Sequence, residues 1–275
     1  MFKRLFWPFR RRRAAIPAPP LFRVPPGLRL YAIGDIHGRS DLLDELLDAV
    51  RADALAAADR GESPVVVFLG DYVDRGPDSR GVLDRLSALI KGTIDWRFLE
   101  GNHEMAMRAF MADPVAQRGW LRFGGGPTLA SYGIGVPKSE PTERWLIDAG
   151  AELTRRLPTS HHYFLDHLDL LLEWGDYAFV HAGVRPGVPL PAQSRTDLLT
   201  IRKPFIASHD WHGKRIVHGH TVTARPVLSP RRIGIDTGAY VTGRLTCVML
   251  KDTECAFLET CEDGYGVRWL DPRTR

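Results

Sequence analysis

The sequence predicts an α/β protein organised on a largely parallel sheet, and three observations carry that expectation. Short apolar runs at 28–33, 65–69 and 93–99 read as strands. Each ends abruptly in a glycine-flanked polar loop, and each loop gives way to apolar residues at helical spacing. Strand-loop-helix units in succession make neighbouring strands parallel and bring their loops to one edge of the sheet. Open α/β sheets place their ligands at that edge.

The first strand runs into Gly34-Asp35-Ile36-His37-Gly38. Ser40 is the expected N-cap of the helix that follows, with Leu42, Leu43, Leu46, Leu47 and Val50 on one face and an end near Ala58. The second strand opens into Gly70-Asp71-Tyr72-Val73-Asp74-Arg75-Gly76, ahead of a helix over 79–90 that carries Val82, Leu83, Leu86 and Leu89. The third ends in Glu100-Gly101-Asn102-His103-Glu104, ahead of a helix over 105–111.

From 113 to 168 the pattern changes to Gly124-Gly125-Gly126, scattered aromatics and helical stretches near 142–157 and 159–168. A helical cap or insertion against the functional edge is expected there, with an ordinary helical half of the core as the competing reading. The glycine triplet is no phosphate cradle, because no strand leads into it and no Gly-Lys-Ser/Thr follows. Further on, 177–180 ends in His181-Ala182-Gly183 and 215–217 in His218-Gly219-His220. Hairpin-connected strands are expected at 232–236, 245–250 and 256–259.

Composition narrows the class. At 275 residues, 44% hydrophobic and 25% charged, the chain suits a globular protein with a sizeable core. Its net charge is +4, but Lys3, Arg4, Arg10, Arg11, Arg12 and Arg13 supply six cations, leaving about −2 for the rest. Basicity is thus a property of the N-terminal arm, and no nucleic-acid partner is expected. Residues 1–27 read as an extended or disordered arm rich in proline, since Pro8 interrupts any helix. Phe2, Leu5, Phe6, Trp7 and Phe9 beside those cations could also make weak contact with an anionic membrane surface. The expected organisation is the arm (1–27), a catalytic domain (28–262) containing the 113–168 cap, and a tail (263–275), as a monomer. No apolar run approaches the roughly 18 residues of a membrane span, and no secretory core stands at the N-terminus. Cys247, Cys255 and Cys261 form no CxxC pair, and a cytoplasmic location is expected.

The loops at the strand ends offer Asp35, His37, Asp71, Asn102, His181 and His220, a set of oxygen and imidazole donors with no thiolate. That set suits Mn, Fe, Zn or Mg. A lone Asp after a strand is ordinarily a turn residue and a lone His an ordinary polar side chain. Five strand ends that all supply donors are a different case. Six ligands are too many for one catalytic ion with an open position, whereas two ions roughly 3.5–4 Å apart sharing one carboxylate fit.

The motifs GDIHG (34–38), GDYVDRG (70–76), GNHE (101–104), HAG (181–183) and HGHT (218–221) resemble those of the calcineurin-like metallophosphoesterases. Within them the chain is similar to the phosphoprotein phosphatase family, especially the small bacterial and phage serine/threonine protein phosphatases, and the resemblance extends through 235–239 and 245–246. It implies a four-layer metallophosphoesterase sandwich, two packed mixed β-sheets flanked by helices. It places Asp35 and His37 on a first metal, Asp71 on both, and Asn102, His181 and His220 on a second, with manganese preferred over Fe, Zn or Mg. The implied reaction is hydrolysis of phosphoserine or phosphothreonine, and also phosphotyrosine, in phosphoproteins or phosphopeptides, by direct attack of a metal-bridging hydroxide.

The resemblance also makes Arg75, Asn102 and Arg202 contacts to the substrate phosphate, with Lys203 competing for the role of Arg202. Asp74 would orient His103, which would protonate the leaving oxygen. His218 stands where family members often carry an apolar residue and reads as structural. Val222 stands where related nucleases and phosphodiesterases have a second histidine, which weakens a nuclease reading. An alternative is a symmetrical diadenosine tetraphosphate hydrolase, whose family shares GDIHG, GNHE, HAG and the Arg-Gly-Pro-x-Ser run at 75–79. Asp74 points away from it, as an acid that protein phosphatases keep. A catalytically silent phosphate- or protein-binding module is opposed by the complete set of donors.

Overall fold

The computed structural model describes residues 21–89, 93–262 and 266–270. The chain runs β1 (Leu28–Ile33), α1 (Ser40–Asp59), β2 (Ser63–Phe68), α2 (Ser79–Ser87), β3 (Asp95–Phe98) and α3 (Asn102–Ala112). A wide helical turn (Leu121–Gly125) leads into α4 (Gly126–Ser131), α5 (Glu143–Arg156) and α6 (Thr159–Asp166). Then come β4 (Leu171–Trp174), β5 (Tyr177–Val180), α7 (Arg195–Thr200), α8 (Lys203–Ile206), β6 (Arg215–His218), β7 (Val227–Leu228) and β8 (Arg232–Gly234). The described chain closes with α9 (Ala239–Thr242), β9 (Thr246–Lys251), β10 (Glu254–Thr260) and β11 (Val267–Leu270).

The first sheet has the order β11-β10-β9-β1-β2-β3. Its β1, β2 and β3 are parallel, with Leu30 opposite Val65 and Val67 opposite Arg97, while β9, β10 and β11 add on antiparallel. The second sheet has the order β4-β5-β6-β8-β7, with β5, β6 and β8 parallel and an antiparallel strand at either edge.

Side-chain alternation along the strands decides the layers. Leu30, Ala32, Val65 and Val67 point from the first sheet toward Tyr177, Phe179, Val217 and Ile233 of the second, forming a dry core between them. On the other face of the first sheet, Tyr31, Ile33, Val66 and Phe68 meet Leu42 and Leu46 of α1, Val82 of α2 and Leu146 and Leu153 of α5. The outer face of the second sheet buries Ala178, Val180 and Ile216 against Leu198 of α7 and Phe205 of α8. Each buried Val, Leu, Ile or Phe among them is worth about 1.5–3 kcal/mol. Two mixed sheets flanked by helices are thus the architecture.

Several elements differ from expectation. α1 begins at Ser40 itself, and Ser40 Oγ donates to Asp78 Oδ2 at 2.6 Å instead of capping its own helix. Asp78 caps α2 through Gly81 N. α3 starts at Asn102, because Glu104 reaches back to Gly101 N in the manner of a capping box, so Asn102 and His103 lie on its first turn. Within the segment 113–168, Leu129, Tyr132, Leu146, Leu153 and Phe164 belong to the same core as α1 and α2.

Part of the segment expected to be an arm belongs to the core. Phe22 and Val24 are buried between the sheets, and Val24 N donates to Asp252 O at 2.8 Å. Residues 1–20, with their cations and the expected membrane contact, lie outside the described residues. The expected tail contains β11, paired with β10, while 263–265 and 271–275 lie outside the described residues. Among the described residues no helix is long and apolar enough to cross a membrane.

Candidate active site

The carboxyl ends of β1, β2 and β3 in one sheet and of β5 and β6 in the other open toward a common point. His37, Asp71, Asp74, Arg75 and His220, all in these loops, have φ between 47 and 75°. Non-glycine residues hold that conformation only when the surroundings impose it. Here Ile36 N and His37 N both donate to Asp71 O, Gly38 N to Tyr72 O and Arg75 N to Gly124 O.

Asp71 is the centre of the cluster. Its Oδ2 lies 3.5 Å from His37 Nε2 and 4.0 Å from His103 Nε2, and its Oδ1 lies 3.4 Å from His181 Nε2. His181 Nε2 is in turn 3.0 Å from Asn102 Oδ1 and 3.2 Å from His220 Nδ1. Two groups result, His37–Asp71–His103 and Asp71–His181–His220, which share one carboxylate. His37 Nδ1 donates to Val73 O and His181 Nδ1 to Leu69 O, which leaves both Nε2 lone pairs facing Asp71. Burial pulls His37 and His220 down to about 3 and also lowers His181, so these rings are neutral. Burial raises the Asp71 pKa, but His181, His103 and His37, which become cationic in acid before Asp71 takes up a proton, outweigh it and hold Asp71 below the usual carboxylate range.

Asp35 stands beside these groups. Both its oxygens accept from His220 N, at 3.1 and 3.0 Å. A side chain at Gly219 would collide with Asp35 Oδ1, so only glycine permits this approach. Burial, then Asp236 and Asp71, push Asp35 well above its usual value, and burial raises Asp236 to about 6. Buried carboxylates crowded among neutral imidazoles, with the buried His220 Nε2 lacking a partner among the described residues, fit divalent cations. Asp35, His37 and Asp71 could hold one ion, and Asp71, Asn102, His181 and His220 a second.

His103 is fully buried and points its Nδ1 at Asp74 Oδ2, 2.6 Å away. Burial pulls its pKa down, but Asp71 and Asp74 overcome that and leave it raised. Asp74 also accepts from Trp120 Nε1 at 2.8 Å and Thr128 Oγ1 at 2.6 Å. Its carboxylate is therefore committed to holding the imidazole. Arg75 Nη2 lies 3.1 Å from His103 Nε2, and its guanidinium stacks on Tyr240 with Cζ 4.8 Å from the ring centroid. Arg202 is exposed and donates from Nη1 to His220 O at 3.0 Å, which ties it to the second group. His218 is buried away from the cluster, bonded to Gly219 O and Arg232.

Glu104, Trp120, Thr128, Asp236 and Tyr240 had no role assigned from sequence. Glu104 accepts from the N–H groups of Asp71, Tyr72, Val73 and Gly101; burial pushes its pKa up, while the N–H donors of Val73 and Tyr72 favour the carboxylate. Its capping-box position three residues after Gly101 was a readable signal. The other four reach the site only through tertiary packing.

The family description "calcineurin-like phosphoesterase" matches residues 28–225, and the chain belongs to that family. It is a metallophosphoesterase hydrolase family with a dinuclear divalent-metal site, and the donors above suit one. The asymmetrical bis(5'-nucleosyl)-tetraphosphatase PrpE of Halalkalibacterium halodurans is 26% identical over 81% of this chain and 90% of its own length. A symmetrical bis(5'-nucleosyl)-tetraphosphatase of Paracidovorax citrulli is 33% identical over 58% of this chain and 45% of its own. Among solved structures, a cold-active protein-tyrosine phosphatase of a psychrophilic Shewanella species shares the fold at a TM-score of 0.53, with 17% identity, covering 90% of this chain and 83% of that one.

Proposed function

We propose that this chain is a metal-dependent hydrolase of bis(5'-nucleosyl) tetraphosphates that cleaves asymmetrically, releasing a nucleoside monophosphate and a triphosphate. The observation that carries this reading is the similarity to asymmetrical tetraphosphatases along 81% of the chain and 90% of the relative, against 45% of the length of a symmetrical one. It favours this substrate class over the phosphoprotein expected from sequence. Asp74, which pointed toward protein phosphatases, bonds to His103, Trp120 and Thr128. Holding a proton donor is a task common to ester and anhydride cleavage, so Asp74 does not discriminate between them.

In this reading Asp35, His37, Asp71, Asn102, His181 and His220 hold two divalent ions, manganese being the expected pair. When bound, such ions supply Lewis acidity toward phosphoryl oxygens and a nucleophilic water at neutral pH. The protein's own residues do the rest. Arg75, Arg202 and Asn102 fix the phosphoryl oxygens, Arg75 with a planar fork that Tyr240 keeps from swinging away. Asp74 locks His103 with Nδ1 protonated, so Nε2 is the atom that hands a proton to the leaving oxygen. A nucleotide phosphate leaves more readily than a serine alkoxide, so this proton matters less for an anhydride than for a phosphoserine ester.

The test is a head-to-head assay of the manganese-loaded protein on diadenosine tetraphosphate and a phosphoserine peptide, with products resolved by chromatography. The dinucleotide should show a kcat/KM at least about tenfold higher, with AMP and ATP as products. Faster turnover of the peptide would return the protein phosphatase reading, and ADP alone would indicate symmetrical cleavage.

A further inference from the structure

Phe123 is 53% exposed, yet it stands against a buried centre, its ring 5.1 Å from that of His103 and tilted by 33°. It sits in the wide helical turn Leu121–Gly125, where Gly124 takes a φ of 117°. Gly124 O accepts from Arg75 N at 3.0 Å, and a Cβ at Gly124 would press on Arg75 Cγ at 2.8 Å. Phe123 is therefore pinned to the loop that carries Arg75. Beyond His103 the row of rings continues to His37, 4.6 Å away, and to Tyr240, 5.4 Å from His37. Tyr240 is occupied by Arg75, whereas half of Phe123 faces solvent.

We propose that Phe123 is the stacking platform for a nucleobase of the substrate, on the side of the leaving group. The substrate class rests on the tetraphosphatase reading; the placement rests on geometry. His103 Nε2 faces the leaving oxygen, so a ring beside His103 meets what departs. An aryl group bonded directly to the ester oxygen would lie at the depth of His37 and His103, which are 2% and 0% exposed. A half-exposed ring at the rim instead suits a base held farther from the attacked phosphorus, by its ribose and the phosphate that leaves with it. Every base offers a π-face, so the platform selects nucleotides without choosing among bases.

The test is calorimetric binding of AMP and of ribose 5-phosphate, which differ only by adenine, to the manganese-loaded full chain. The wild-type protein should bind AMP about tenfold tighter, as stacking on one aromatic ring provides. Phe123→Ala and Phe123→Leu should bring the ratio close to one, the leucine variant retaining apolar volume and guarding against a folding artefact. Phe123→Trp should keep the advantage. A wild-type ratio of one, or an advantage that survives in the alanine and leucine variants, overturns the platform. So does phenyl phosphate showing a Phe123-dependent gain where AMP shows none, which would mark an aryl-ester site. If AMP stacks as expected but diadenosine tetraphosphate is not cleaved, the substrate reading falls and the platform stands. Cleavage with a ratio indifferent to Phe123 gives the reverse.

Discussion

The two halves of the site are held in place by different means. Around His37 and His103, buried carboxylates do most of the holding, with the His37 ring bonded to Val73 O: Asp74 takes three side-chain donors, and Glu104 takes four backbone N–H groups from two loops. Around His181 and His220 the main chain does more of it, although both oxygens of Asp35 accept from His220 N. His181 hangs from Leu69 O, Gly219 N donates to His181 O at 2.8 Å, and the parallel register of β5 and β6 brings the two histidines together. Side-chain wiring concentrates the energy in a few residues, whereas main-chain wiring spreads it over a sheet that no one substitution removes. The difference also decides where mutations should hurt.

Asp71 belongs to both halves, so Asp71→Asn should have the largest effect. The amide is neutral and can offer its one oxygen to only one side, while its NH2 faces a histidine lone pair. Turnover of any phosphate substrate should fall by more than about 100-fold, beyond the range for groups that only support a ligand. Metal content by elemental analysis should drop from two ions per chain toward one. A variant that keeps a tenth of the turnover and both ions would show that the halves do not share this carboxylate.

Glu104→Gln comes next and reads the side-chain-wired half alone. Glutamine has one acceptor oxygen where the carboxylate has two, and its NH2 is directed at backbone N–H groups that need an acceptor. Two buried donors lose their partner, at about 1–3 kcal/mol each, so the unfolding free energy from urea titration should drop by about 2–6 kcal/mol. A loss below about 1 kcal/mol would mean that the loops hold their left-handed conformations without Glu104, and that this half is not side-chain wired after all.

The same contrast explains what could be read from the sequence. The parallel strands, their helices and the donors at their ends were legible because each is a local pattern: an apolar run, a glycine turn, an acid or histidine. The first half lay in compact motifs, with Asp71, Asp74 and Arg75 inside one heptad. Even there Ser40 misled, since its hydroxyl serves Asp78 from across the α1–α2 junction. Trp120, Thr128 and Tyr240 could not be found, because a tryptophan 46 residues from the carboxylate it serves looks like any core aromatic. The burial of Phe22 and Val24 was hidden for a related reason. Proline-rich surroundings argue for an arm, and only the gap between two sheets gives those side chains somewhere to go.

The smallest effect is expected from His218→Phe, the counterpart of Glu104 in the main-chain-wired half. His218 is as buried as Glu104 and sits two residues from His220, so burial alone would rank the two alike. Burial lowers its pKa to about 3, which makes it a neutral ring with one donor and one acceptor. Nδ1 donates to Gly219 O at 2.9 Å, and Nε2 accepts from Arg232 Nη1 at 3.2 Å. Phenylalanine keeps the ring and its edge contact with Phe205, and the guanidinium of Arg232, only partly buried, can turn to water. What is lost is one hydrogen bond to a carbonyl, worth about 1 kcal/mol in the same urea titration. The strand register that places His181 and His220 is untouched by the change. A loss as large as that from Glu104→Gln would show that a side chain, and not the sheet, holds the second pair of histidines.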